Sequence, residues 1–243
     1  MIGRAMGALL APITGAVSAV RHARMFHPDG VIYQARVAPA TATAMPEVAA
    51  RLAGPALMRL SSAWWRGRKE LPDVLGVAIR FRRRAEPSAE AEPGDQDLLL
   101  ATIRHPWTMP FAPLSTHVHD FLANDYYGVS PFMLEGVGLV YLRAVPSPPR
   151  ASEGGRAERL ARAVADGAAR FTLEAKRRGT SSWQPIVTIE LIGPVTIDEQ
   201  ALRFWPYLTA RGIEPRGFVH ALRRAAYRSS QHARGADRAS AGG

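Results

Sequence analysis

The stretch VLGVAIRFR, residues 74–82, is a strand candidate at the centre of the pattern that decides the fold. Similar runs lie on both sides of it: GVIYQARV (30–37), QDLLLATI (96–103), residues 136–145, ARFTLEAKR (169–177) and PIVTIEL (185–191). Apolar residues that alternate with polar ones between turn residues are typical of half-buried strands. The run MPEVAARLAGPALMRL (45–60) predicts a short helix, a Gly-Pro break and one more strand.

Together these runs predict about seven or eight short, mostly antiparallel strands, with helices confined to the ends and crossovers. One such helix is expected at residues 156–166, and the acidic, proline-rich residues 85–95 are expected to form an exposed loop. This pattern favours an α+β fold built on a closed or nearly closed antiparallel β-barrel over a layered parallel sheet.

The composition narrows the range of partners and chemistry. The chain has 31 Lys and Arg against 21 Asp and Glu, but its arginines are spread through every segment, so we expect no nucleic-acid partner. It has no cysteine, which excludes thiolate ligation of haem, iron–sulfur clusters and disulfides. No apolar run approaches the ~20 residues of a membrane span. We therefore expect a cytoplasmic protein with no membrane partner.

The stretch PRGFVHALRRAAYRSSQHAR (215–234) holds a candidate metal ligand. If a helix begins after Gly217, the side chains of Arg223, Tyr227 and Arg234 share one face of it. A guanidinium one turn away favours the phenolate form of a tyrosine, and phenolate is one of the few axial ligands that proteins offer to haem iron. A basic amphipathic helix without a cofactor is the alternative interpretation.

Five short motifs, in the same order along the chain, resemble those of haem catalases. The motifs are HARMFHPDG (22–30), MRLSS (58–62), PDVLGVAIRF (72–81), QDLL (96–99) and the Arg223-x-x-x-Tyr227 pair followed by Arg234. Their counterparts in the family are His-Ala-Arg/Lys with a glycine eight residues after the histidine, Val-Arg-Phe-Ser, Asp-x-x-Gly-x-Ala-x-Lys-Phe, Trp-Asp-Leu-Val and Arg-x-x-x-Tyr. The resemblance implies a minimal catalase-like domain that binds haem b.

The resemblance also implies the residues of the distal side. His22 would remove a proton from the peroxide and return it to the leaving oxygen, a role that suits an imidazole. Ser61 would orient His22 through its other ring nitrogen.

On the proximal side the resemblance implies that Tyr227 is the metal ligand and Arg223 its phenolate partner. Arg59 and Arg234 would bind the haem propionates through charge-assisted hydrogen bonds. The phenolate ligand pushes electron density to iron and eases cleavage of the O–O bond.

The departures from the family pattern concern the distal side and one propionate. The distal asparagine of catalases aligns with Ala101, and the neighbouring Thr102 is retained as a catalytic candidate. Loss of the amide puts peroxide dismutation in doubt. The propionate-binding arginine three residues before the distal histidine is Ala19, although Arg21 could reach the same group. Gln96 replaces the tryptophan of the Asp-Leu motif.

We expect residues 1–243 to form a single haem-binding domain. Its predicted parts are an N-terminal helical segment (1–21), the barrel (22–200), a C-terminal helical segment that carries Tyr227 (201–234) and a disordered tail (235–243).

The predicted function is a haem-dependent peroxidase with weak or no catalase activity, acting on hydrogen peroxide or organic hydroperoxides with a small organic donor. A hydroperoxide-rearranging enzyme similar to allene oxide synthase and a non-catalytic haem-binding barrel are the alternatives. His105, Trp107, His117 and His119 could line the approach to the iron. A homodimer is one option for the assembly.

Overall fold

The computed structural model describes residues 30–65, 69–148, 153–198 and 201–216. Ten strands form a single sheet in which every pairing is antiparallel. The strands are β1 (Gly30–Pro39), β2 (Gly54–Ser62), β3 (Leu75–Phe81), β4 (Gln96–Ala101), β5 (Tyr126–Tyr127), β6 (Phe132–Leu134), β7 (Gly138–Pro146), β8 (Arg170–Arg177), β9 (Gln184–Pro194) and β10 (Ile213–Pro215).

Eight of the strands close into a barrel. The order β7-β5-β4-β3-β2-β1-β9-β8 becomes a ring because β8 also pairs with β7, from Val140 opposite Arg177 to Pro146 opposite Phe171. Strands β6 and β10 extend the sheet beyond β7. The predicted fold, a closed antiparallel barrel of seven or eight strands, is confirmed.

The barrel interior is the main hydrophobic core. Successive side chains of a strand point to opposite sides of a sheet, so every second residue of each strand faces inward. In β3 the inward side chains belong to Leu75, Val77, Ile79 and Phe81, all of which are buried. The outward positions of the same strand carry Gly76, Ala78 and Arg80. The alternation that predicts the strand therefore also places its large apolar side chains inside the barrel and its glycine and alanine outside.

The helices lie at the ends and crossovers, as predicted. They are α1 (Pro46–Leu52), α2 (Ala112–Ser115), α3 (Arg156–Ala165) and the 3-10 helices Pro106–Phe111 and Phe121–Ala123. Helix α3 buries Leu160 and Val164 against the core. None of the helices in these ranges has the length and apolarity needed to cross a membrane.

The segment 201–216 differs from the helical structure predicted for residues 201–234. It contains turns, an isolated bridge from Thr209 to Gln96, and strand β10. Pro206, Pro215 and Gly212, whose φ is 78°, interrupt a helix here. Its backbone groups pair with β6 and with the side chain of Gln96 instead. Residues 1–29 and 217–243 lie outside the described residues, and so do the predictions of a helix at 1–21, a helix after Gly217 and a disordered tail at 235–243.

Candidate functional site

The outer face of strands β1 to β4 carries two of the three predicted site residues that the structure describes, Ser61 and Arg59. Gly30 of β1 is opposite Ser61 of β2, Ser61 is opposite Gly76 of β3, and Gly76 is opposite Ala101 of β4. Residues that are directly opposite each other in antiparallel strands project to the same side of the sheet. This row therefore places the predicted Ser61 beside three positions that have a small side chain or none.

A second row runs beside the first on the same face. It consists of Ile32, Arg59, Ala78 and Leu99, each opposite the next. Ile32 is buried, whereas the other three are half-buried. The two rows together form a mostly apolar surface on which five of the eight residues are Gly, Ala or Ser. It has one hydroxyl group and one guanidinium group, and we call it the β1–β4 outer face.

The guanidinium group of Arg59 lies over Gly30. A Cβ atom on Gly30 would be 2.7 Å from Cζ of Arg59 and 2.8 Å from its Nε, closer than real Cβ contacts allow. A side chain at position 30 would therefore displace Arg59. The glycine that the HARMFHPDG motif supplies at this position makes room for the arginine.

Thr102 does not share the outer face with Ser61. The side chain of Ala101 is the one that lies beside Gly76, and Thr102 follows the end of β4. Its hydroxyl Oγ1 accepts a hydrogen bond from the backbone N–H of Leu75 and is 2.8 Å from Oγ1 of Thr116. These contacts join β3 to the loop that follows α2. A catalytic role of Thr102 stays a prediction.

The other end of the β3–β4 outer face is closed by an ion pair. Arg80 Nε is 2.8 Å from Asp97 Oδ1 and Arg80 Nη2 is 2.9 Å from Asp97 Oδ2, and both side chains are fully buried. Arg80 also donates to the backbone carbonyl of Arg203, its guanidinium lies over the ring of Phe204, and the N–H of Trp205 donates to Asp97. Residues 203–205 thus cover this end. Burial raises the pKa of the Asp97 carboxyl, against the opposing effect of Arg80.

Gln96 ties β4 to the segment that leads towards the C-terminus. Its side-chain amide donates to the carbonyls of Asp97 and Ile213, and its Oε1 accepts from the N–H groups of Arg211 and Ile213. The side chain is buried, and these bonds use both its donor and its acceptor groups. Gln96 therefore has a structural role here.

Asp73 of the PDVLGVAIRF motif organises the loop after β2. Its buried carboxylate accepts hydrogen bonds from the backbone N–H groups of Trp64, Trp65 and Val74. These bonds fix the direction of the chain as it leaves the end of β2 that contains Ser61. The sequence motif drew attention to Asp73 but did not predict that it would hold this loop.

The loop that follows β4 carries histidines predicted to line an approach. The ring of His105 stacks on the indole of Trp107 with the centroids 4.6 Å apart and the planes 4° from parallel. Burial and the nearby charges of Arg104 and Lys176 lower the pKa of His105. Nδ1 of His119 is 2.7 Å from Glu70 Oε2. His117 is exposed and is held through its backbone by the Asn124 side chain.

Five predicted site residues lie outside the described residues: Arg21, His22, Arg223, Tyr227 and Arg234. Within the described ranges no group of three or more His, Asp or Glu side chains is arranged to hold a metal ion. The role of Tyr227 as a metal ligand therefore stays a prediction from the sequence.

Comparison with known proteins identifies the class of fold. No protein-family model matches the chain, and no curated protein matches it. Among solved structures it is similar to a bacterial catalase, with a TM-score of 0.54 and 14% identity over 83% of this chain and 55% of that one. It is also similar to a fungal catalase, with a TM-score of 0.50 and 14% identity over 80% of this chain and 56% of the other.

The architecture is a catalase-like fold. The chain spans only about half the length of the two catalases, and the likeness at this identity concerns the fold. The chemistry of the β1–β4 outer face also fits a planar, mostly apolar, anionic group: the surface is low at Gly76, Ala78 and Ala101, and Arg59 supplies a cation at its edge.

Proposed function

We propose that the protein is a haem b enzyme that cleaves hydrogen peroxide or organic hydroperoxides and acts mainly as a peroxidase. The observation that carries this proposal is the β1–β4 outer face, where Ser61 and Arg59 lie beside Gly30, Gly76 and Ala101 in a catalase-like barrel. Large side chains fill the inner side of the same strands, so the small residues on the outside are a local feature of this face.

The chain's own residues would hold the cofactor by charge and by ligation. Arg59 would pair with a propionate, helped by Arg234 and Arg21, because guanidinium groups bind carboxylates through two parallel hydrogen bonds. Tyr227 would ligate the iron as phenolate, favoured by Arg223. Bound haem would supply the iron at which the O–O bond of the peroxide is cleaved.

The position of Ser61 supports the predicted role of His22. The chain enters β1 at Gly30, which is opposite Ser61, and His22 precedes Gly30 by eight residues. In the proposed reaction the imidazole of His22 accepts the proton of a bound hydroperoxide and returns it to the leaving oxygen. The hydroxyl of Ser61 orients that imidazole through the other ring nitrogen.

Ala101 favours a peroxidase over a catalase. Its methyl group lies on the outer face beside Gly76, at the position where catalases have an asparagine by the resemblance of the motifs. A methyl group donates no hydrogen bond to a second peroxide. It also leaves more space for an organic hydroperoxide or a small organic donor, which are the partners we propose.

Arg216 is the described residue from which the chain continues to Tyr227. The last described residue, Arg216, donates its N–H to the carbonyl of Pro131. Nearby Val129 packs against a small apolar cluster with Ala101 as a neighbour. Tyr227 is eleven positions beyond Arg216, which corresponds to about 16 Å along a helix or up to about 36 Å along an extended chain.

Reconstitution with haem tests the proposal directly. The wild-type protein is expected to bind haem with the absorption spectrum of a phenolate-ligated ferric iron, and Tyr227→Phe is expected to lose that spectrum. Tyr141→Phe, which changes an exposed tyrosine of β7, is the matched control and should behave as wild type. A wild-type spectrum in Tyr227→Phe would contradict the ligand assignment, and a protein that binds no haem would contradict the proposal.

The distal side has its own experiment. His22→Ala is expected to retain haem and to react with peroxide on the order of 10²-fold more slowly, because a general base contributes about that much. Oxygen release from hydrogen peroxide measures catalase activity, and oxidation of a phenolic donor measures peroxidase activity. The peroxidase activity should be the larger of the two. A wild-type rate in His22→Ala would contradict the distal assignment.

A further inference from the structure

Within the described residues, most of the large exposed apolar side chains lie in two loops. Six of the nine large hydrophobic side chains that are exposed within the described ranges lie in two loops, one after β2 and one after β4. These six define what we call the aromatic loop surface: Trp64, Trp65, Leu71, Trp107, Phe111 and Leu114. Single exposed hydrophobic residues are ordinary, but a group of this size marks an interaction site.

The two loops are held together by contacts beneath the exposed side chains. Ala63, next to Trp64, and Ala112, next to Phe111, are buried in one small apolar cluster with Val74 and Ile103. The stacked ring of His105 supports Trp107, and a hydrogen bond from Thr108 closes the turn between them. The large side chains therefore project from a fixed backbone.

The exposed fractions show that the side chains extend away from the protein. Trp107 is 71% exposed, Phe111 67% and Leu114 80%. A protein partner that recognises such side chains must supply a preformed pocket for each of them. A lipid bilayer can accommodate them without pockets, because its interface accepts tryptophan and other large apolar side chains from a surface loop.

The charge around the aromatic loop surface is positive. Residues 104–119 contain one arginine and no acidic residue, and Arg104 and Lys69 are exposed. The acidic residues of these two loops next to the surface already have partners, and the Asp120 carboxylate accepts from the N–H of Leu122. Glu70 contacts His119 and the N–H of Arg156, and Asp73 is buried under three backbone N–H groups. The uncompensated charge is therefore cationic.

This charge separates the occupants that an apolar surface could have. A second copy of the chain would add the same cationic charge, from its own Arg104 and Lys69. The chain's segment 1–29 carries three arginines and two histidines against one aspartate, so it would also add like charge. Like charges at close range oppose association, whereas anionic lipid headgroups complement the surface.

We propose that the aromatic loop surface docks the protein on bilayers that carry anionic lipid headgroups. Trp107, Phe111 and Leu114 enter the boundary between headgroups and acyl chains, and Arg104 and Lys69 contact the headgroups. The proposal departs from the expectation of no membrane partner, which considered only segments that span a bilayer. The docking does not depend on haem. The docking proposal can therefore fail while the proposed function holds, and the proposed function can fail while the docking holds.

Vesicle flotation tests the docking. The full-length protein is expected to float with vesicles of phosphatidylcholine plus phosphatidylglycerol more strongly than with phosphatidylcholine alone. The double variant Phe111→Ser/Leu114→Ser should bind at least ~10-fold more weakly, because it removes two large apolar groups from the interface. Ile192→Ser, which removes an exposed aliphatic side chain from β9, is the matched control and should bind as wild type.

A second experiment tests the charged residues. Arg104→Gln/Lys69→Gln should lose most of the preference for anionic vesicles, with an effect of about 5-fold per charge. Equal binding by wild type and the double apolar variant would overturn the proposal. So would an equal preference for anionic vesicles in the charge variant, or no binding of the wild type to either vesicle.

Two further results would assign the surface to another occupant and overturn the proposal. Light scattering would do so if the wild type were a dimer in the absence of lipid and Phe111→Ser/Leu114→Ser a monomer. Acrylamide quenching of tryptophan fluorescence, compared between wild type and Trp107→Phe, isolates the contribution of Trp107. The proposal would be overturned if this contribution were already shielded from acrylamide without vesicles. The expected result is a quenchable Trp107 whose emission shifts to the blue only when anionic vesicles are added.

Discussion

Strands β3 and β4 present two contrasting ends on one outer face. At one end Arg80 and Asp97 form a fully buried ion pair that residues 203–205 cover. At the other end Gly76 is opposite Ala101, next to Ser61, and Ala78 separates the two ends. Within the seven residues of β3, one end is therefore covered by an ion pair and a packed segment, which we call the filled end. The other end carries only small side chains, and we call it the low end.

The difference shows how one pair of strands separates stability from ligand binding. A buried ion pair fixes a neighbouring segment because leaving either charge unpaired is costly. Small residues offer a surface that another group can cover. The ion pair anchors the segment 201–216, which leads towards Tyr227, whereas the small residues leave room for the group that Tyr227 would hold.

The largest effect is expected at the filled end. Asp97→Ala leaves the guanidinium of Arg80 buried without its partner and should lower the free energy of unfolding by about 3–5 kcal/mol. Glu190→Ala breaks the exposed Arg170–Glu190 pair and should cost less than about 1 kcal/mol. Urea denaturation monitored by far-ultraviolet circular dichroism measures both. Equal losses in the two variants would remove the distinction between the ends.

The low end is expected to respond in binding and not in stability. Ala78→Leu adds bulk to the half-buried centre of the outer face and should weaken haem binding at least ~10-fold, since two groups cannot occupy the same volume. Its thermal midpoint should stay near the wild-type value because the added side chain points away from the core. Haem titration and a thermal melt without haem give the two numbers.

The matched control for that variant is Ala38→Leu. Ala38 is an exposed alanine in β1, away from Arg59 and Ser61, and its replacement should affect neither measurement. If Ala78→Leu bound haem as tightly as Ala38→Leu, the outer face would not be the site.

Arg59 tests the charged edge of the low end with a smaller expected effect. Arg59→Gln removes a charge-assisted hydrogen bond, which is worth about 1.5–3 kcal/mol, and should weaken haem binding about 10- to 100-fold at most. Iron protoporphyrin with esterified propionates separates charge from shape, because wild type and Arg59→Gln should bind the ester with similar affinity. An unchanged advantage of wild type for the ester would assign Arg59 a packing role.

The smallest effect concerns the contact between the carboxylate of Glu70 and the exposed ring of His119. Burial raises the pKa of Glu70, but the Arg156 N–H and His119 lower it more, so the pKa lies below its ordinary value of 4.5. A depressed carboxyl pKa stabilises the fold above the unfolded-state pKa, and this stabilisation is lost as the pH falls through the folded-state pKa. Glu70→Gln should therefore cost stability at pH 7 and very little in strong acid, by less than about 1 kcal/mol because the pair is exposed.

Urea midpoints of wild type and Glu70→Gln at neutral and acidic pH measure this difference. The gap between the two proteins should close as the pH falls below 4.5. A gap that stays constant with pH would show that Glu70 acts through packing and not through its charge.

Much of the barrel could be predicted from the sequence, and the exceptions have physical reasons. The long strands and helices α1 and α3 were predictable because each has enough residues to show its period. Strands β5, β6 and β10 have two or three residues each, which is too few for a periodic pattern. Residues 201–216 look helical only until Pro206 and Gly212 are counted as breaks.

The candidate site could be predicted in part. The motifs identified Ser61 and Arg59, and the structure places both on one face beside Gly30. They also drew attention to Asp73 and Gln96, whose contacts prove to hold loops and the segment 201–216. Arg80 was not singled out, because an arginine in a strand gives no sign of being buried until its partner is known.

The sequence by itself determined that the sheet is antiparallel with one apolar side, since short alternating runs can bury that side by closing on each other. Only the tertiary structure decided which residues of different strands share a face. Arg80 and Asp97 are 17 residues apart, and Gly30 and Ser61 belong to strands joined through α1. Strand register sets these contacts, and a shift of one residue would turn every side chain to the opposite side of the barrel.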